Sequence, residues 1–319
     1  MSFLNRRQMM TRAGGAAALV AAAPMLSTTE AEEARSDSLP MQLYKSLSDE
    51  QREKICLPAD HARRQFISNW WYVAPEYRLN HFKPEQQELI TKIFDSLHHP
   101  EYREAVNKQV KHDQYGKEKN IPSVAFFGTP DDSNFEFIYT GHHVTRRCDA
   151  HTDEGRGLNG APLFYGHFFN TFNESPEHVG NPYWYQGKLF NEFVQSLDEQ
   201  QQQRGLATVE PRAERSPDVV KSREQAPGLA IADLQDDQRA KLLETIGKML
   251  VMFRESDVAA TLKAIRDHNV LEKLHVSWYG GKYDIGDDKV WDTWTMEGPT
   301  FVWYFRGQPH IHSYFDLKV

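Results

Sequence analysis

Ser123-Val124-Ala125-Phe126-Phe127-Gly128, followed by Phe135-Glu136-Phe137-Ile138-Tyr139-Thr140-Gly141, decides the reading of the fold. Both are short runs of β-branched and aromatic residues closed by glycine, the pattern of two strands in an antiparallel hairpin. The same pairing returns as His275-Val276-Ser277-Trp278-Tyr279-Gly280-Gly281 and Trp291-Asp292-Thr293-Trp294-Thr295-Met296-Glu297-Gly298. Past the closing glycine the first copy continues His142-His143-Val144-Thr145, and the second Pro299-Thr300-Phe301-Val302. Upstream of each pair lie helix-start phrases of one type: Leu47-Ser48-Asp49-Glu50-Gln51-Arg52, Phe82-Lys83-Pro84-Glu85-Gln86-Gln87, Leu197-Asp198-Glu199-Gln200-Gln201 and Leu234-Gln235-Asp236-Asp237-Gln238-Arg239. An acidic first turn, Ser48 with Gln51 three residues on, and Pro84 at the first helical position are N-terminal signals. The second and fourth phrases open amphipathic runs over 85–97 and 236–253, and further helices are expected around 102–110 and 258–268. The sequence therefore predicts an α+β protein, internally duplicated, with helical layers packed on antiparallel β-hairpins or sheets. One domain over 39–319 is expected, made of two related halves at about 39–190 and 191–319, with the charged, Pro-containing stretch 205–230 as a loop.

The first residues read as an address. Arg6-Arg7 stands before a weakly apolar, Ala- and Gly-rich run from Ala13 to Pro24, too short to span a bilayer. This pattern predicts a twin-arginine signal peptide over 1–31, a disordered segment over 32–38, and an exported protein, periplasmic or extracellular, whose partner during export is the twin-arginine translocase. Cleavage near Thr29-Glu30-Ala31 removes three arginines and one acid and takes the net charge from −8 to about −10. That route carries folded proteins, often with a cofactor already in place. Cys56 and Cys148, in an oxidising compartment, are either a disulfide or two free thiols.

Composition excludes other classes. Among 319 residues, Lys+Arg 37 against Asp+Glu 45 is the wrong balance for nucleic acid, and 7 Trp, 13 Tyr and 18 Phe do not belong to a disordered chain. No stable membrane insertion is expected. HExxH, GxSxG and GxxxxGK[ST] are absent. Gly155-Arg156-Gly157-Leu158-Asn159-Gly160 has the letters of a dinucleotide fingerprint, but it follows polar residues and leads into Ala161-Pro162, so no nucleotide cofactor is expected.

Histidine carries the chemistry. Pro309-His310-Ile311-His312-Ser313-Tyr314-Phe315 reads as a strand whose alternation sends His310 and His312 to one face, at a spacing suited to gripping one metal ion. Gly141-His142-His143 offers a third ligand, only one of the pair being able to enter a given site. Weaker ligand candidates are His142, His151, His167 and Cys148; Asp149, Tyr165 and Arg306 are weak catalytic or substrate-positioning candidates. His98 and His99 are expected to end a helix, and His61, His81, His112, His178 and His268 to be solvated. A cupin barrel also carries HxH on a strand, but here the upstream glycine is missing and Asp316 stands where glutamate is expected.

The order and spacing of these phrases, with Gly160-Ala161-Pro162-Leu163-Phe164-Tyr165-Gly166 and the stretch from Gly298-Pro299 to His310-Ile311-His312, resemble the bacterial domain-of-unknown-function family 3500 over about 39–319. The resemblance implies export and a fold-sized unit without an established reaction. Its pattern favours His143 over His142, together with His310 and His312.

The first functional expectation is thus a metalloprotein with one copper, iron or zinc ion on three imidazoles, with an open position, acting as an oxidoreductase on a small or aromatic substrate. The alternatives are a non-catalytic periplasmic protein binding a ligand or metal, and a metal-free hydrolase with His143 as base beside Asp149 or Glu297.

Overall fold

The computed structural model describes residues 38–152, 157–167, 182–223, 225–284, 291–307 and 309–319. The signal-peptide reading over 1–31 and nearly all of the expected disordered segment lie outside these residues, as do Gly155 and Arg156 of the GxGxxG letters and His178. The first run of elements is α1 (Leu39–Ser46), α2 (Asp49–Ile55), β1 (Cys56–Leu57), α3 (Pro84–Ser96), α4 (Arg103–His112), β2 (Ser123–Phe127), β3 (Glu136–Gly141), β4 (Val144–Asp149) and β5 (Leu163–Gly166). The second is α5 (Tyr185–Gln195), α6 (Glu199–Gly205), β6 (Leu229–Ala230), α7 (Asp236–Met249), α8 (Glu255–Asp267), β7 (His275–Trp278), β8 (Thr293–Gly298), β9 (Phe301–Arg306) and β10 (His312–Leu317). The ten strands form one open sheet in the order β1-β2-β3-β4-β5-β10-β9-β8-β7-β6. Neighbours are antiparallel except β1 and β2. The protein is mixed α+β, and the β5–β10 pair joins what the sequence suggested as separate hairpins. No helix among the described residues is long and apolar enough to cross a membrane.

All four helix-start phrases open helices, and the reason they share a glutamine is visible. Gln51, Gln86, Gln201 and Gln238 each accept a bond at Oε1 from the backbone N–H of the N-cap residue three positions back. Their amide nitrogens then cross-bond in pairs, Gln51 with Gln86 at 2.9 and 3.0 Å and Gln201 with Gln238 at 3.1 and 2.9 Å. Glutamate would close a capping box equally well but has no donor for the crossing bond. One hydrophobic cluster joins the helices to the sheet, from Met41 to Leu317, and includes fully buried Trp278, Trp294 and Trp303. Strands β2, β3 and β8 are buried at every position, which is why they read as continuous aromatic runs rather than as alternating ones.

On the other side of β4, β5, β9 and β10 the cover is loop with one short 3-10 turn, Asp218–Val220, rather than α-helix. Ile67, Phe164, Val219, Val220, Tyr304 and Tyr314 form a second, smaller cluster there. Ser216 Oγ accepts from the Ile67 amide at 3.2 Å, tying the two covering loops together.

His98 follows the end of α3, as expected, and its ring turns into the core. It is 1% exposed, its Nδ1 donates to the Phe94 carbonyl at 2.8 Å, and its Nε2 accepts from Arg146 Nε at 2.9 Å. Burial, with the guanidinium beside it, holds the imidazole pKa well below the ordinary value. The folded state therefore keeps His98 neutral where the unfolded chain, with a pKa of about 6.5, takes up a proton. Its contribution is intact above about pH 6.5 and is lost as the pH falls from there toward the folded value, at up to about 1.4 kcal/mol per pH unit. Urea unfolding of the metal-free protein between pH 7.5 and 5.5 checks this: His98→Gln is expected to lose less stability over that interval than the wild type. Parallel profiles would contradict it.

Candidate metal centre

The β3–β4 hairpin turns through His142 and His143, between the paired residues Gly141 and Val144. His143 occupies the left-handed region with φ of 56°, a conformation a branched-free but bulky residue adopts at a cost of about 1 to 2 kcal/mol. The turn is held there by the bond from the His143 amide to the Asn69 carbonyl at 2.8 Å. Asp113, just past α4, clamps both rings: its carbonyl lies 3.0 Å from His142 Nδ1 and its Oδ2 lies 2.8 Å from His143 Nδ1. Gln109 donates to the same Oδ2 at 2.8 Å, and the Tyr183 hydroxyl donates to Gln109 at 2.7 Å. Asp113, Gln109 and Tyr183 are fully buried.

His312 opens β10, paired with Gly166 on one side and Arg306 on the other. His310 precedes the strand, correcting the expectation of a strand over 309–315. The His310 carbonyl accepts from Arg306 Nη1 at 2.7 Å instead of joining a ladder, and only from His312 does the pairing run. Ile311 is buried, as expected, so the two histidines still turn to the same side. His312 Nδ1 meets the carboxylate of Glu214, which also accepts from Arg306 and, at 3.2 Å, from the Tyr314 hydroxyl.

The three imidazoles converge. His312 Nε2 stands 3.0 Å from His143 Nε2 and 2.9 Å from His310 Nε2, and the ligand atoms of the three residues lie within 4.8 Å of one another. His143 Nδ1, facing the Asp113 carboxylate, carries the proton, because an ionised carboxylate only accepts, whereas His312 Nδ1 stands between the Glu214 carboxylate and the Arg306 Nη2 donor and can pair with either. His143 therefore presents an Nε2 lone pair to His312 Nε2 at 3.0 Å, and when the His312 proton sits on Nδ1 toward Glu214 the two lone pairs face each other with no hydrogen between them. A cation bound by both lone pairs resolves that arrangement. Nitrogens 2.9 to 3.0 Å apart subtend roughly 90° at an ion about 2.1 Å from each. A carboxylate behind the distal nitrogen is the usual way a metal-binding imidazole is oriented and made more basic.

Electrostatics agree with neutral ligands. Burial first, then the neighbouring imidazoles, holds His143 well below the ordinary histidine range. Burial and His312 lower His310 to about 2, and burial lowers His312 to about 4 against the opposing pull of Glu214. Burial raises Glu214, but the charges and hydrogen bonds of His312 and Arg306 outweigh it and bring the group to about 2. His143 and His312 are buried and His310 is partly open. Phe164, with its ring centroid 5.3 Å from that of His312, and Tyr314, at 6.3 Å, form the apolar wall.

The weaker candidates separate. His142 stacks on His143 rather than joining the three nitrogens, and His167 stands near, its ring 6.4 Å from His310. Cys148, Asp149 and His151 sit at the far end of β4. His151 Nε2 lies 2.8 Å from the Pro130 carbonyl and its Nδ1 3.4 Å from Asp149; Cys148 and Asp149 line a separate cleft with Arg64, Glu136 and Arg147. Burial pushes the Cys148 thiol far up and Cys56 up to about 11; both cysteines are free. Tyr165 points to the helix-covered face, donating to Gln186 at 3.0 Å, because it alternates with Phe164, which faces the histidines. Arg306 is at the centre, holding Glu214 and the His310 carbonyl. Glu297 is engaged by Arg212 at 2.9 Å, so the carboxylate that serves His143 is Asp113, not Asp149 or Glu297. The GxGxxG letters open no helix: Gly157 and Leu158 donate to Asp257 and Thr261 of α8. Sequence reasoning missed Asp113 and Glu214, and no local pattern marks either.

Fold and site together define a mixed α+β protein with a buried three-histidine cluster able to hold one metal ion. The chain belongs to the family described as protein of unknown function (DUF3500), whose model matches residues 30–315. No curated protein and no solved structure matches it.

Proposed function

We propose that this is an exported metalloprotein in which His143, His310 and His312 hold one copper, iron or zinc ion with an open position, serving as an oxidoreductase on a small or aromatic substrate. The observation that carries the reading is the convergence of the three imidazoles, with His312 Nε2 3.0 Å from His143 Nε2 and 2.9 Å from His310 Nε2 and with the carboxylates of Asp113 and Glu214 behind His143 and His312. Bound there, copper or iron supplies one-electron chemistry, and zinc Lewis acidity. The protein's own part is to fix the tautomers through Asp113 and Glu214 and to neutralise Glu214 with Arg306. Phe164, Tyr304 and Tyr314 keep water from the covered side, and half-buried His310 marks the side of approach. The Arg6-Arg7 signal supports passage by the twin-arginine translocase to the periplasm or beyond, a route compatible with loading the metal before export.

Internal duplication is part of the same proposal. In its support, the element order of two helices, a short strand, two helices and four strands occurs twice, and the glutamine pairs Gln51–Gln86 and Gln201–Gln238 recur in matching places. Only the first half supplies a histidine turn, and only the second the HxH pair, so the centre is built from both.

Asp113→Asn and Glu214→Gln test the reading of the supporting carboxylates. Each is expected to weaken metal affinity about 10- to 100-fold in a competition titration, with all three ligands intact. Unchanged affinity in both variants would remove the basis for the site.

A further inference from the structure

The metal-ligand side of His143 faces His312, but its ring has a second neighbour. The imidazole of His142 stacks on it with centroids 3.9 Å apart and planes at 27°, and the indole of Trp70 stacks on His142 at 4.4 Å and 25°. His142 is 6% exposed and Trp70 47%, so the stack runs from the cluster to the surface in two steps. Backbone and side chains hold it in place. Trp70 and His142 form an antiparallel bridge, the His143 amide bonds to Asn69, and Asp113 fixes both imidazoles from below. At the outer end Trp70 Nε1 donates to the Tyr72 hydroxyl at 2.9 Å, and the Arg78 guanidinium lies 3.4 Å over the Tyr72 ring. Packing alone does not call for an indole half in water. Trp70 and Phe66, 40% exposed on the same loop, are two of the four large hydrophobic side chains exposed among the described residues.

We infer that Trp70, His142 and His143 form a one-electron path between the surface and the metal centre, with Trp70 as the contact for the outer redox partner. The inference rests on the metal-centre reading above and adds a direction of traffic to it. Rings in van der Waals contact overlap through their π systems, whereas the aromatic wall on the other side, Phe164 at 5.3 Å and Tyr314 at 6.3 Å from the His312 ring, stands farther off and is buried. The exchange is balanced simply. A copper(I) centre gives up one electron and becomes copper(II); the electron crosses His143, His142 and Trp70 to a one-electron acceptor, which is reduced. No bond forms or breaks, and the Nδ1 proton of His143 stays on its bond to Asp113.

Stopped-flow oxidation of the copper(I)-loaded full chain by ferricyanide tests this, followed by the appearance of the copper(II) paramagnetic signal. Trp70→Leu is expected to slow oxidation at least tenfold while copper stoichiometry and the final copper(II) spectrum stay those of the wild type, and Trp70→Tyr is expected to recover part of the rate. Equal rates for wild type and Trp70→Leu, with copper bound in both, overturn the path and leave the metal centre standing. A wild type that takes up no copper overturns the path and the copper form of the centre together.

Discussion

Replacing His312 by alanine is expected to lower metal affinity by roughly three orders of magnitude while leaving a folded protein. His312 is the middle of the cluster: both short nitrogen contacts, to His143 at 3.0 Å and to His310 at 2.9 Å, are its own. Without it the remaining two imidazoles come from separate elements with no contact of that kind to hold them at one ion, and binding energy spread over three ligands falls to what two can supply. The loss also strips the partly buried Glu214 carboxylate of one partner, though Arg306 and Tyr314 remain. A stability cost of about 1 to 3 kcal/mol is expected for that reason, visible in urea unfolding of the metal-free protein. His142→Ala serves as the contrast. Its ring lies outside the three nitrogens, so its effect on affinity is expected to be several-fold at most, measured in the same chelator competition.

Gly166→Ala is expected to damage the same site without touching a ligand. Gly166 ends β5 directly opposite His312, and a Cβ placed on it would sit 2.2 Å from the Ile311 carbonyl oxygen and 3.3 Å from His312 Cδ2. The obstructing atom is backbone, so no rotamer change relieves the clash; the segment carrying both His310 and His312 must move away from β5. Overpacking of this kind costs about 1 to 3 kcal/mol. A ligand shift on the order of an ångström is enough to spoil a preorganised centre, so metal affinity is expected to fall about 10- to 100-fold along with the melting temperature. Gly187→Ala is the matched control. In α5 a Cβ at Gly187 would meet only Phe305 at 3.8 Å, and alanine's better helix propensity is expected to leave stability equal or raise it by up to about 1 kcal/mol. An unchanged affinity in Gly166→Ala would show that the β5–β10 contact does not position the histidines.

The parts of this fold legible in the sequence are those whose cause is local. Ser48 with Gln51 and Asp198 with Gln201 cap their helices with partners three residues away, so the phrase carries its own evidence. The crossing of Gln51 with Gln86 was not legible, because nothing in either helix tells which amide it will meet. The aromatic strands announced themselves, yet their joining into one sheet depends on β5 meeting β10, a pairing between distant residues with no local mark. His310 and His312 were found for a reason that holds only in part. Alternation along a strand was the argument, and the structure starts the strand at His312 while Arg306 captures the preceding carbonyl. His143 over His142 came from family resemblance rather than geometry, and the left-handed turn is what sends the second histidine inward. Asp113 lies past the end of a polar helix and Glu214 in a charged loop. Each looks like any solvated acid until the chain folds and sets it against an imidazole.

The central claim is that these three imidazoles hold a metal ion, and the most direct measurement is elemental analysis of the protein exported and purified without chelator or affinity tag. The account predicts about one copper, iron or zinc per chain, absent from a folded variant carrying His310→Ala and His312→Ala. No metal in the wild type, and no uptake when the purified protein is titrated with copper, iron(II) and zinc, would contradict it.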